Sequence, residues 1–498
     1  VSNELSIVAT VQSEIDISSV TSIVEGRSVA LIYSSDAVCS GGGCTPGFRG
    51  QLSLSGLTPG AYVLTVIAED LEGSTVTTQR SIVFDNKPTM TISEPIELSV
   101  AGPNLPVDVS CSDDVGDGEI TVTKGGDHLA SAVNVLSEVL DLSAYNGQQI
   151  LLSIQCKDSS GQSSSESRTV FIETSANLTR VKDFPSRIID FDGQKALILS
   201  SGIEGDKLTI HEVSPNIITE VEVSSGLSVS STHSFLTPNG AIYTAKAFGG
   251  NVLTARTYDW NNSLLHDLGQ PNSASSLTVA GDYAIWSVGT TLWLREFSTA
   301  SNTRISSAAG NWKNSLGDNG VVAFWSSNYT IEIYKEGVYT TLANDVEFWN
   351  TYVVTDGNNF VYRKHYPCCS GHGYAITFHD GTNETVLTDF LENEPSSGRD
   401  YQINNGWVAY TDLGGLGQTH VWTYSPAGAL LQRTIFGTRS YIDGLAADGE
   451  VMLINSGKRY LSDITGQLIN VNSSIGRSAK INGVWYITIG RSLFEVNL

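Results

Sequence analysis

The sequence predicts an all-β chain in which two β-sandwich modules are followed by a long array of four-stranded units. Three observations carry this. In the first 173 residues, short alternating runs rich in Val, Ile and Thr are separated by Gly, Pro, Asn and Asp, and no stretch of helical period competes with them. All nine Trp fall between Trp260 and Trp485, whereas the first 173 residues hold 22 acids against 7 bases and, of the Tyr, only Tyr33, Tyr62 and Tyr145. From Asp192 onward a turn followed by a strand recurs about every 41 residues.

Within the first region the pattern repeats itself. The stretch from Tyr62 to Gly73 is matched by that from Ile150 to Gly161: an alternating strand, then Asp-x-x-Gly at Asp70 and Asp158, then a second Thr/Ser-rich strand. Asp and Gly close such hairpins through side-chain bonding and tolerance of positive φ. The boundaries read from this are 1–86 and 87–173, with 174–498 for the array. Cys111 and Cys156 lie on strands of the second module, 45 residues apart, a spacing that suits a bridge between facing sheets. The region resembles bacterial tandem immunoglobulin-like repeats, in which one repeat ends and the next begins around a segment such as Val83 to Ile92. It lacks the buried Trp of antibody domains, so the likeness is to the broad class. Cys39 and Cys44 flank a Gly-rich tip, where a bridge would pin a hairpin and gain little entropy.

The array aligns on Asp192-Gly193, Asn239-Gly240, Gly281, Asn319-Gly320, Asn350, Asn405-Gly406, Asp448-Gly449 and Asn482-Gly483. Eight anchors at this period match the four-stranded blades of a β-propeller. The last unit is short by one strand, and the segment from Asn177 to Lys182, just before the first anchor, is a spare strand able to complete it. Eight blades are expected, or seven if the poorly aligned unit near Asn350 belongs to its neighbour. The repeats look like the loose propellers of bacterial periplasmic and secreted proteins.

Charge narrows the function. The 498 residues carry 52 acids against 28 bases, a net of -24, which excludes a phosphate-gripping nucleic-acid binder. No apolar run approaches the length of a membrane span, so no membrane insertion is expected. A chain beginning at Val1 reads as a mature bacterial protein, secreted, at the cell surface or in the periplasm.

No nucleophile elbow, zinc-protease helix, phosphate loop or dinucleotide fingerprint occurs. The segment from His365 to His379 stands out, in the longest insertion between anchors. Three readings compete there. Cys368 and Cys369 would form a vicinal bridge if the other four cysteines pair as above; alternatively, the thiolates with His365, His372 and His379 hold zinc; or these groups do nothing special. Lone histidines such as His211, His233 and His266 read as solvated strand positions. Asp113, Asp114 and Asp117, with Asp70, Asp85 and Asp158 elsewhere, supply hard oxygen donors for calcium, against a bland reading as a solvated acidic loop. No cofactor is required by either reading. Most Trp alternate with small residues and belong between blades, while Trp260, Trp312, Tyr329, Trp349 and Tyr366 are candidates to stack on sugar rings.

Two function classes follow. One is a binding or adhesion protein whose propeller presents a carbohydrate or protein-partner surface on an immunoglobulin-like stalk. The other is a propeller-fold carbohydrate-active enzyme similar to polysaccharide lyases, in which Arg363 would neutralise a uronate while His365, Tyr366 or His372 moves the proton. The net charge weighs against a polyanionic substrate. A third class is a piece of a larger adhesin or toxin shell.

Overall fold

The computed structural model describes residues 4–497 except 40–43, 215–216, 222, 224–225, 248–249, 251, 260–263, 272–276, 307–313, 328–329, 345–352, 369–370, 389–400, 415–417, 437 and 439. Side chains of 35–39, 44–46, 264, 327, 365–368, 371–374, 413–414, 418–419, 435 and 473 also lie outside the description. The chain is all-β and divides into two compact units. The first holds Val1–Ile96, Asn104–Asp141 and Ile150–Thr169; the second holds Glu97–Pro103, Leu142–Gln149 and Val170–Leu498.

In the first unit, alternation builds the sandwiches. The first module pairs a three-stranded sheet, in the order Glu4–Ala9, Cys44–Ser53, Ile32–Cys39, with a four-stranded one, in the order Arg27–Ala30, Ile17–Val24, Gly60–Asp70, Thr75–Phe84. Ile7, Val20, Leu54 and Phe84 are among its core residues. In the second module, strand Asn104–Ser112 turns Leu105, Val107, Val109 and Cys111 inward, and strand Gln149–Asp158 turns Ile150, Leu152, Ile154 and Cys156 inward. A period of two thus puts both cysteines in the core, on different sheets. They form the disulfide, with Cα atoms 5.9 Å apart. Gly118 is required beside it, because a Cβ there would lie 2.0 Å from Cys111 Sγ.

The second unit contains, among the described residues, eight four-stranded antiparallel sheets, the blades of a propeller. The first is Arg187–Phe191, Lys195–Gly202, Gly205–Glu212, Ile218–Val221. The first strand of each blade lies beside the first strand of the next, forming an inner ring. Between the last blade and the first, Arg477 donates to Ile189 O and Gly193 lies against Ile481. The last blade is completed from far away: strand Leu178–Asp183 pairs antiparallel with Ser492–Val496 as its outermost strand. Trp286, Trp325 and Trp485 are each 2% exposed in the blade cores.

One anchor moves. Asn350 itself lies outside the described residues; in the fifth blade the inner strand is Val354–Thr355, and the turn that leads into the next strand, Phe360–Cys368, is Asp356–Gly357. The Val-rich run around 353 mimics the strand that follows an anchor, although here it belongs to the strand preceding the turn.

Candidate functional site

The insertion picked out in the sequence forms the long hairpin of the fifth blade, Phe360–Cys368 paired with Gly371–His379. Residues His365 and Tyr374, and Pro367 and His372, are register partners across it. The side chains of His365, Tyr366, Cys368 and His372 lie outside the described residues, as do Cys369, Trp260, Trp312, Tyr329 and Trp349. Arg363 is only 2% exposed, within the blade. Lys364 is paired with Glu384 at 2.8 Å. His379 receives the Gly381 N–H on Nδ1 at 3.0 Å, and burial holds its imidazole below the usual range. Cys39 and Cys44 are register partners across their hairpin, with side chains outside the description.

A cleft not signalled by any motif opens where inner strands of three successive blades start. Two adjoining hollows of about 620 and about 310 Å³ share Leu98, Arg187 and Ser231, and all their lining residues belong to the second unit. Arg187 begins the inner strand of the first blade and Arg477 that of the last; both are exposed and both line the smaller hollow. Among the described residues, neither guanidinium is in an ion pair. Arg477 faces Asp190 and His233 electrostatically. Burial pushes the Asp190 carboxyl up, opposed by the Leu236 N–H at 2.7 Å, and burial together with Arg477 pushes the His233 imidazole down. Seryl hydroxyls, the Thr488 hydroxyl and the Gln149 amide add polar groups, and Glu97 and Asp206 place two carboxylates in the larger hollow, so the smaller hollow is the one whose charged lining is basic. No spacing rule finds such a site, since Arg187 and Arg477 line one hollow only because the ring closes.

His211 departs from the solvated position read in the sequence. It is 4% exposed, edge-on to Phe184 at 5.9 Å, with Nε2 2.9 Å from Thr209 Oγ1, and burial lowers its affinity for a proton.

Of the acidic residues expected to hold calcium, Asp113 and Asp114 come together, joined by Asp85 and not by Asp117. Carboxylate oxygens of Asp85, Asp113 and Asp114 all lie within 4.8 Å of one another. Asp117 instead accepts from Asn134 Nδ2 at 2.7 Å. Asp70 and Asp158 close their hairpins, accepting from Ser74 N and Gln162 N respectively.

No family model and no curated protein matches the chain. Solved structures resemble it in fold. The fibronectin(III)-like modules of Clostridium thermocellum CbhA are 18% identical, with a TM-score of 0.22, over 34% of this chain and 85% of theirs. The β-propeller domain of the Trilobed protease from Pyrococcus furiosus is 13% identical, with a TM-score of 0.37, over 58% of this chain and 98% of its own. An oligogalacturonate lyase from Vibrio parahaemolyticus is 8% identical, with a TM-score of 0.37, over 66% and 95%. No helix among the described residues is long and apolar enough to cross a membrane.

Proposed function

We propose that the chain is an extracytoplasmic binding protein whose propeller takes a ligand bearing an anionic group, with the tandem sandwiches as its stalk. Acidic saccharides are the class that fits best, the two arginines of the smaller hollow supplying the local basic patch that overrides a net charge of -24. The observation behind this is that Arg187 and Arg477, neither in an ion pair among the described residues, line one open hollow in a chain of net charge -24. Guanidiniums recognise carboxylates through charge-assisted hydrogen bonds, and the hydroxyls and amide of the same lining suit sugar hydroxyls. The Cys111–Cys156 disulfide favours an oxidising compartment.

The test is an array of acidic and neutral glycans probed with the full chain, alongside a screen for new 4,5-unsaturated uronate absorbance. Binding is expected to be saturable, to weaken with salt, and to fall by about tenfold or more in Arg187→Gln or Arg477→Gln. Equal binding by the double variant would remove the cleft from the function. Binding to no acidic glycan would shift the ligand to a protein partner, and turnover would make the chain a lyase.

A further inference from the structure

We infer that Asp85, Asp113 and Asp114 form a calcium site that ties the linker between the two sandwiches to the second one. The three carboxylates belong to one compact unit. Asp85 directly follows the last strand of the first module, Thr75–Phe84, and Asp113 and Asp114 follow strand Asn104–Ser112 of the second. Proximity of acids alone is ordinary on an acidic surface. What distinguishes this cluster is burial without compensation: Asp85 is 3% exposed, and its Oδ1 is sealed from solvent with no hydrogen-bond partner. Asp113 Oδ1 is likewise sealed and unpartnered. No Lys or Arg among the described residues pairs with any of the three. A buried carboxylate with neither donor nor counter-charge is costly, and two like charges beside it raise that cost.

A divalent cation resolves both deficits at once. The donor set is all oxygen, which suits calcium and not zinc. Two oxygens on one calcium, each about 2.3–2.6 Å from it, lie at most about 5 Å apart, and the 4.8 Å bound meets that limit. The frame around the cluster is already fixed. Asn86 donates through Nδ2 to Asp114 Oδ2 at 2.7 Å, and Gln162 Nε2 donates to Asp85 O at 3.0 Å. Val115 N donates to Asp113 Oδ2 at 3.2 Å, leaving that residue's Oδ1 for the ion. The linker is therefore held at its backbone by the second module, and a cation would satisfy the buried carboxylate of Asp85.

The full chain, stripped with a chelator, is titrated with calcium by calorimetry, and its thermal unfolding is followed with and without the ion. One saturable site is expected, with a dissociation constant on the order of 10⁻⁴–10⁻³ M, as in extracellular modules. Asp85→Asn and Asp113→Asn should each weaken binding by about tenfold or more, with Asp117→Asn unchanged. In chelator, Asp85→Asn should melt no lower than the wild type, since it removes repulsion; in calcium, the wild type should melt higher. That reversal separates an ion site from a purely structural aspartate. Should Asp85→Asn fail to fold, equilibrium dialysis of the wild type and of Asp114→Asn, whose residue is exposed, reads the same site. The inference is overturned by wild-type protein that binds no calcium at millimolar concentration, by unchanged affinity in the Asp85 and Asp113 variants, or by magnesium binding equally well.

Discussion

Arg459 donates through Nε to Asp443 Oδ2 at 2.9 Å, with no part of the arginine side chain exposed. The other guanidinium nitrogens reach Asn472 Oδ1, Ile475 O and Gly476 O, so one buried cation fastens the seventh blade to the segment leading into the eighth. Ser478, on the last blade, also donates to Asp443. Arg459→Leu strands the carboxylate and the three carbonyl acceptors together. A loss of roughly 3–5 kcal/mol is expected, measured by denaturant unfolding. Asp443→Asn should cost less, because the arginine keeps its carbonyl partners. Equal losses would argue against an ion pair as the fastening.

Gly118 and the disulfide should be coupled. Gly118→Ala drives a methyl into Cys111 Sγ, and a cost of about 1–3 kcal/mol is expected in the oxidised protein. With Cys111 and Cys156 both changed to Ala, the sulfur is gone and most of that cost should disappear. A double-mutant cycle on the midpoint of unfolding reads the difference directly. Additive effects would mean that Gly118 serves some other purpose.

Stability should fall on mild acidification. His211, His233 and His379 all have folded proton affinities below the ordinary histidine value of 6.5, chiefly through burial. The unfolded chain therefore takes up protons at a pH where the fold does not. Their contribution is complete above about pH 6.5 and is lost progressively below it, until the folded groups also titrate. The lowered carboxyls of Asp158 and Asp448 act in the same direction, but only as pH falls through and below 3.8. The raised Asp190 carboxyl acts the other way, taking up its proton in the fold before the unfolded chain does, so the histidine share is read as the difference in slope between the wild type and a histidine variant between about pH 7 and about pH 5. His211→Gln should flatten the slope, and an identical slope would assign it elsewhere.

Removing Ser492–Val496 should open the ring. Leu493, Phe494 and Val496 are buried in the last blade, and among the described residues strand Leu178–Asp183 has no other ladder partner. Losing three such side chains costs roughly 5–9 kcal/mol. Limited proteolysis should then cut near residue 180 first; a shortened chain as resistant as the full one would count against closure by this strand.

Much of the architecture was legible because the fold is periodic. Alternation in strands such as Asn104–Ser112 and the recurring Gly turns are local signals, set by strand pleat and positive φ. Cys111 and Cys156 were legible for the same reason. The fifth anchor was misplaced because that inner strand has two residues, too few to show a period, and Val353 and Val354 blur its start. The sites were less legible. Asp117 lies in the same acidic run as Asp113 and Asp114, yet Asn134, held at φ 63°, takes it away from them. Asp85 is 28 residues from Asp113 in sequence, and Arg187 is 290 from Arg477; only the folded chain brings either pair together.

The closure of the last blade also sets an order of events during biosynthesis. Asp183 accepts from Ser492, a residue 309 positions later. At about 5–20 residues per second on the ribosome, strand Leu178–Asp183 waits roughly 15–60 s for its partner. Seven blades can form in that interval, but the eighth cannot. For that time the nascent chain carries an unpaired β-edge between its finished sandwiches and an open ring, and that edge is where a holding chaperone or a mispairing neighbour would act.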